Sequence, residues 1–195
     1  MNRNTEGVIV SKFGGTSLAD AEQFRKVAAI VKADPRRKIV VVSAPGKRSG
    51  DDKKITDLLY LCHTLVQQGI NPVFAFDLIR ERYMAIADSL GSADLFDLLQ
   101  DIQEKIQGGA ERDWIASRGE FLNARLMAGH LNATFIDAAD FIVFGVDGRF
   151  IAEETYSRLG RRIARELHDR PDSRIVVPGF YGADATGRIV CFSLP

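Results

Sequence analysis

The sequence predicts an α/β domain on a mainly parallel sheet, with a helical excursion after its second strand. Three observations carry this reading. Two β-branched apolar runs, residues 8–10 and 39–42, flank an amphipathic segment. Strand, helix and strand at such short range form a βαβ unit, whose crossover implies parallel pairing. Residues 55 to about 132 follow a helical pattern throughout, and strand patterns return only after residue 133.

Taken in order, residues 8–10 lead into Ser11 and Lys12 and read as a buried strand. Residues 18–34 place Phe24, Val27, Ala28, Ile30 and Val31 at helical spacing, and Pro35 ends that helix. After the strand at 39–42 comes a polar loop, 45–54, with two glycines and mixed charge. A helix opens at Ile55, with Thr56 or Asp57 near its start, and Gly69 closes it. Pro72 starts a second helix as far as Leu90. Gly91 and Ser92 cap the start of a third, which Gly108 and Gly109 terminate, and a fourth covers 111–129. Strands follow at 133–136 and 141–144. A helix at 156–168 carries Arg158, Arg161, Arg162 and Arg165 on its polar positions. A strand at 174–177 runs into the turn 178–182. Residues 184–187 form a hairpin turn, and 188–192 are its return strand.

The 195 residues suffice for one domain with a sizeable core. Basic and acidic residues number 26 each, so the basic excess of a nucleic-acid binder is missing. Cys62 and Cys191 have no metal-ligand spacing, and Cys62 lies in a helical apolar pattern that makes it a core thiol. No run approaches the roughly 18–20 apolar residues of a membrane span, and the first ten residues lack the apolar segment of a signal peptide. No membrane partner and a reducing cytoplasm are therefore expected.

Four stretches can carry chemistry. KFGGTS, residues 12–17, sits at a strand exit and offers two glycines, a lysine and two hydroxyls. Unpaired N–H groups at glycine turns and helix starts bind anions. The lysine precedes the glycines, however, so this is no P-loop, and a plain structural turn stands level with anion binding. Ser43-Ala44-Pro45-Gly46 leaves the second strand, and ligands of open parallel sheets gather at such carboxyl ends. Arg118-Gly119-Glu120 sets a carboxylate beside a mid-helix glycine, which lets a ligand or a neighbouring strand approach. Taken alone, Glu120 reads as a solvated helix charge, since carboxylates are seldom buried. Val177-Pro178-Gly179-Phe180-Tyr181-Gly182 lies at another strand exit. His63, His130 and His168 share no nucleophile or metal pattern, and none is assigned to catalysis.

In this order the stretches resemble the aspartate kinase branch of the amino-acid kinase family. That family's first strand ends K-F-G-G-[TS]-S, intact here at 12–17. Its second ends V-V-S-A with T-[DN]-L-L downstream, here 41–44 and 56–59. Its helical insertion carries [SG]-x-G-E, here 117–120, continued by FLNARL at 121–126. A late strand ends [VT]-x-G-F-x-G, here 177–182. The resemblance covers about residues 8–192. It implies a three-layer αβα sandwich of the amino-acid kinase (carbamate kinase-like) type, truncated, with a helical insertion at about 55–132. One departure is large: the family continues into R-G-G-S-D, whereas this sequence reads Leu194-Pro195 at the corresponding place. The resemblance therefore implies an N-terminal, amino-acid-binding lobe over residues 1–195, without the nucleotide lobe and ACT regulatory domains, and inactive alone.

The implied reaction is ATP plus L-aspartate giving 4-phospho-L-aspartate and ADP, the first step toward lysine, threonine and methionine. Lys12 would be the catalytic contact to the transferring phosphate, with Gly14, Gly15, Thr16 and Ser17 lining its pocket. Ser43, Thr56 and Glu120 would hold aspartate, Glu120 pairing its ammonium group, and Gly179 and Phe180 would complete the pocket. No residue is expected to ligate a metal directly. Mg²⁺ would accompany ATP, and the full-length form would be a homo-oligomer. The alternatives are a kinase for another small acid, as in glutamate 5-kinase or carbamate kinase relatives, and a non-catalytic binding or oligomerisation module. A sheet cut short also leaves an unpaired edge and an apolar face that invite dimerisation or aggregation.

Overall fold

The computed structural model describes residues 7–92 and 95–192. Residues 93–94, at the expected start of the third helix of the excursion, and 193–195, after the last strand, lie outside the described residues.

Strand β1 (Ile9–Phe13) leads through a short 3₁₀ turn, Gly15–Leu18, into helix α1 (Ala21–Lys32) and strand β2 (Arg37–Val42). The excursion follows as α2 (Ile55–Gln67), α3 (Val73–Leu90), α4 (Phe96–Gln107) and α5 (Arg112–Leu131). Then come β3 (Thr134–Phe135), β4 (Val143–Phe144), α6 (Ala152–Asp169), β5 (Ile175–Pro178), β6 (Tyr181–Asp184) and β7 (Ile189–Cys191). The larger sheet has the order β1-β2-β5-β3 and is parallel throughout. A second sheet, β4-β6-β7, pairs β4 with β6 in parallel and closes with the expected hairpin, Gly187 taking φ +84° at its turn.

Several boundaries differ from the sequence reading for local reasons. The helix expected from residue 18 begins at Ala21, because the Asp20 carboxylate accepts the Gln23 N–H at 2.9 Å and caps it. Gly91 does not start a helix. At φ +61° it closes α3, a left-handed terminus that glycine adopts without a Cβ penalty. The strands expected at 133–136 and 141–144 shrink to two residues each and fall in different sheets. Between them Asp137 accepts the Ala139 N–H at 3.0 Å and winds Ala138–Asp140 into a 3₁₀ turn. Helix α6 begins at Ala152, ahead of Tyr156, with Glu153 and Glu154 in a first turn where the helix dipole favours acids.

Side chains alternate across the larger sheet. Phe13, Val40, Val42 and Val176 face a core shared with α1, α2, α3 and α5. Ile175 and Val177 face the opposite side, where Leu159, Ile163 and Leu167 of α6 pack. Helices thus lie on both faces and make three layers. The α6 layer leaves an apolar groove of about 270 Å³ that reaches Val10, Ile39 and Val41, and Val10, on edge strand β1, is 59% exposed. Cys62 is buried in the first core, and burial pushes its thiol up to about 11, a packing role.

Candidate active site

Strands β1 and β2 end side by side, Phe13 opposite Val42, and the Ser43 N–H donates to the Phe13 carbonyl at 3.1 Å. The two exit loops then touch backbone to backbone. The Gly46 N–H donates to the Gly15 carbonyl at 2.8 Å, and a Cβ on Gly46 would lie 2.7 Å from the Gly15 carbonyl carbon. A Cβ on Gly15 would lie 2.8 Å from the Ala44 oxygen. These two glycines are required by the close approach of the loops; Gly14 faces open space.

Helix α5 closes the far side. At Gly119 a Cβ would come within 2.8 Å of the Ala44 Cβ and 3.3 Å of Leu59 Cδ1, so the glycine lets α5 press against both the strand exit and α2. That approach buries Glu120, which is 6% exposed, and the solvated charge read from the sequence alone is corrected. Its Oε1 accepts the Ala44 N–H at 3.2 Å, and its Oε2 is buried with no partner among the described residues. Burial pushes the carboxyl up to about 7, with the Ala44 N–H pulling the other way. One turn on, Asn123 is fully buried and donates from Nδ2 to the Ser43 carbonyl at 2.6 Å.

A cavity of about 360 Å³ opens here, lined by Gly15, Thr16, Ser43, Ala44, Pro45, Gly46, Lys47, Lys54, Thr56 and Glu120. It gathers Gly15, Thr16, Ser43, Thr56 and Glu120 from four sequence-distant stretches. The other candidates lie around it. Lys12 is exposed and in register with Val41, on the sheet face that carries Val10 and the apolar groove. Gly14 and Ser17 close the 3₁₀ turn, the Ser17 N–H donating to the Gly14 carbonyl at 3.0 Å. Because Asp20 already caps α1, the KFGGTS turn does not present that helix's N-terminus to an anion. Gly179 donates to the Val42 carbonyl at 2.9 Å, and Gly179 and Phe180 line the groove on the α6 side.

Sequence reasoning missed Lys47 and Lys54, two cations that line the same cavity as Glu120. Their signal was the charge run in the 45–54 loop. Asn123, in the FLNARL stretch, carried no signal of its own. Among the described residues no group of three or more His, Cys, Asp or Glu is placed to hold a metal ion, and no helix is long and apolar enough to cross a membrane.

A parallel sheet flanked by helices, a ligand-sized cavity at its strand exits and a helical excursion folded over that cavity define the class. The amino acid kinase family model matches residues 7–193, and the chain belongs to that family. Among curated relatives, Aspartokinase 3 of Bacillus subtilis is 35% identical over 94% of this chain and 42% of its own length. Lysine-sensitive aspartokinase 3 of Escherichia coli is 30% identical over 93% and 42%. The crystal structure of Clostridium acetobutylicum aspartate kinase superposes with a TM-score of 0.90 at 42% identity, covering 96% of this chain and 42% of that one. E. coli aspartokinase III, solved with aspartate and ADP, shares the fold with a TM-score of 0.77 at 24% identity, over 95% of this chain and 43% of its own. The chain thus spans less than half the length of these relatives.

Proposed function

We propose that this chain is the amino-acid-binding lobe of an aspartate kinase, acting in the transfer of the ATP γ-phosphoryl group to the side-chain carboxylate of L-aspartate. The observation that carries the reading is Glu120, a buried carboxylate with one unpartnered oxygen in a small cavity that Lys47 and Lys54 also line. An unpaired buried acceptor in a cavity that two cations also line suits a ligand with both an ammonium group and carboxylates. The aspartokinase names of the relatives, and the aspartate and ADP bound to the E. coli enzyme, support the same choice.

The substrate carboxylate, with an ordinary pKa near about 3.9, is ionised at neutral pH and attacks without a general base. A new carboxylate–phosphorus bond forms as the bond to the bridging oxygen of ADP breaks. Catalysis then rests on orientation and on offsetting the repulsion of two anions. Glu120 would hold the ammonium group and Ser43 and Thr56, which line the same cavity, would orient the ligand, while Gly179 and Phe180, in the groove on the α6 side, would complete the pocket only from the neighbouring strand exit. Lys12, at the end of β1, would draw the transferring phosphoryl group, with Gly14, Gly15, Thr16 and Ser17 beside it. Mg²⁺ would arrive with the nucleotide and screen its phosphates, since the residues described here form no cage for it. A homo-oligomeric, cytoplasmic full-length enzyme completes the proposal.

Calorimetric titration of the chain with L-aspartate, L-asparagine and L-glutamate tests it. Saturable binding of L-aspartate, weaker for the other two and lost in Glu120→Ala, is the expected result. Preference for another small acid, or no binding at all, overturns the aspartate assignment.

A further inference from the structure

Arg82 belongs to α3, away from the strand exits, yet its side chain ends between them. It is 5% exposed. Its Nη2 donates to both carboxylate oxygens of Asp52, at 2.7 and 2.6 Å. Its Nη1 donates to the Gly46 carbonyl at 3.1 Å and, at 3.4 Å, to the Ala19 carbonyl. Ala19 directly follows the 3₁₀ turn that ends the KFGGTS segment, and Gly46 is the residue whose N–H meets Gly15. Asp52 also accepts the Arg48 N–H at 2.8 Å and Arg48 Nε at 3.0 Å, which folds the 45–54 loop on itself. One guanidinium therefore joins both loops that wall the cavity.

A buried ion pair contributes little net stability, because desolvation offsets much of its attraction; geometry is what it fixes. Arginine suits the task, since its planar fork serves several acceptors at once where an ammonium is a single point charge. We propose that Arg82 is a positioning residue for the cleft, holding the two strand-exit loops in register so that the cavity lined by Lys47, Lys54 and Glu120 keeps its shape. The ligand-binding consequence rests on the aspartate reading above; the loop-holding role does not.

The test compares Arg82→Met, Arg82→Lys, Asp52→Asn and the Arg82→Met/Asp52→Asn double variant by amide hydrogen exchange, thermal unfolding and L-aspartate titration. Arg82→Met is expected to speed exchange in residues 14–19 and 45–54 while α2 and α5 keep their protection. It should weaken L-aspartate by about tenfold. Arg82→Lys should retain only part of the loop protection, and the double variant should bind no more weakly than Arg82→Met alone, as a coupled pair requires. Unchanged loop exchange in a folded Arg82→Met protein, or loss of protection spread evenly over the helices, overturns the proposal. Should Arg82→Met not fold, Arg82→Lys and Asp52→Asn decide by the same exchange measurement. Wild-type protein that does not bind L-aspartate sinks the ligand assignment, and loop exchange still decides the clamp.

Discussion

Glu120 and Asn123, one turn apart on α5, hold the two ends of a single peptide group. Glu120 Oε1 accepts the Ala44 N–H at 3.2 Å, and Asn123 Nδ2 donates to the Ser43 carbonyl at 2.6 Å. In a trans peptide those two groups point in opposite directions. The helix therefore fixes the peptide plane at the exit of β2. Ser43 is set in the cavity wall, and one Glu120 oxygen is left without a partner among the described residues.

Glu120 makes stability pH-dependent in an unusual sense. Its carboxyl is raised from 4.5 to about 7 in the folded chain, so between those values the folded state keeps a proton that the unfolded state has lost. Stability contributed by the neutral form is complete below the unfolded value and declines as pH rises through the window, by about 3 kcal/mol in total. Glu120→Gln cannot titrate and should lack this decline. Urea unfolding of both proteins across the window checks it, and parallel curves would refute it.

The same titration governs the ligand. An ammonium group pairs with the ionised carboxylate, so L-aspartate should bind more weakly below pH 7, approaching about tenfold per pH unit. Binding in the neutral range should also release protons, readable as a dependence of the calorimetric heat on buffer ionisation enthalpy. A pH-independent affinity across this range would show that Glu120 does not meet the ammonium group.

Asn123 tests the peptide clamp. Asn123→Leu leaves the part-buried Ser43 carbonyl without its side-chain donor and should cost about 1–3 kcal/mol. The Ser43 and Ala44 amide resonances should shift more than those of β1. Stability within a few tenths of wild type would mean that the peptide does not need the side chain.

Two helical glycines should respond in opposite senses to alanine. On α5, Gly119→Ala drives a methyl against the Ala44 Cβ at 2.8 Å and should destabilise by about 1–3 kcal/mol. On α6, Gly160 has nothing within 4 Å, so Gly160→Ala should stabilise by about 0.5–1 kcal/mol through backbone entropy alone. Equal responses in thermal unfolding would contradict the close approach of α5.

What was legible in the sequence is what local patterns encode. The β-branched runs that include Val40 and Val41 gave the parallel strands, Pro35 and Gly69 gave helix ends, and Gly119 advertised a close approach. The burial of Glu120 was hidden, because it depends on Ala44, 76 positions away. Arg82 was hidden for the same reason, since its acceptors Asp52, Gly46 and Ala19 lie 30, 36 and 63 positions off. Gly91 misled because a glycine marks a helix end as readily as a start, and only its φ of +61° decides.

Phe180 offers the sharpest backbone test. The Tyr181 N–H donates to the Gly179 carbonyl at 3.0 Å and closes a three-residue turn around Phe180, whose φ is +75°. A turn of this kind is rare and strained for a residue with a β-carbon. The strain is held by the surroundings: Gly179 is tied to the Val42 carbonyl at 2.9 Å, and the Phe180 carbonyl accepts the Phe192 N–H at 2.8 Å. Phe180→Ala and Phe180→Gly both lose the apolar contact with the groove, so their difference isolates the backbone. In an ordinary strand or helix glycine is the less stable of the two by about 0.5–1 kcal/mol. Here the order should reverse, with Phe180→Gly the more stable by about 1 kcal/mol in urea unfolding. If Phe180→Gly is the less stable of the pair, the turn is unstrained.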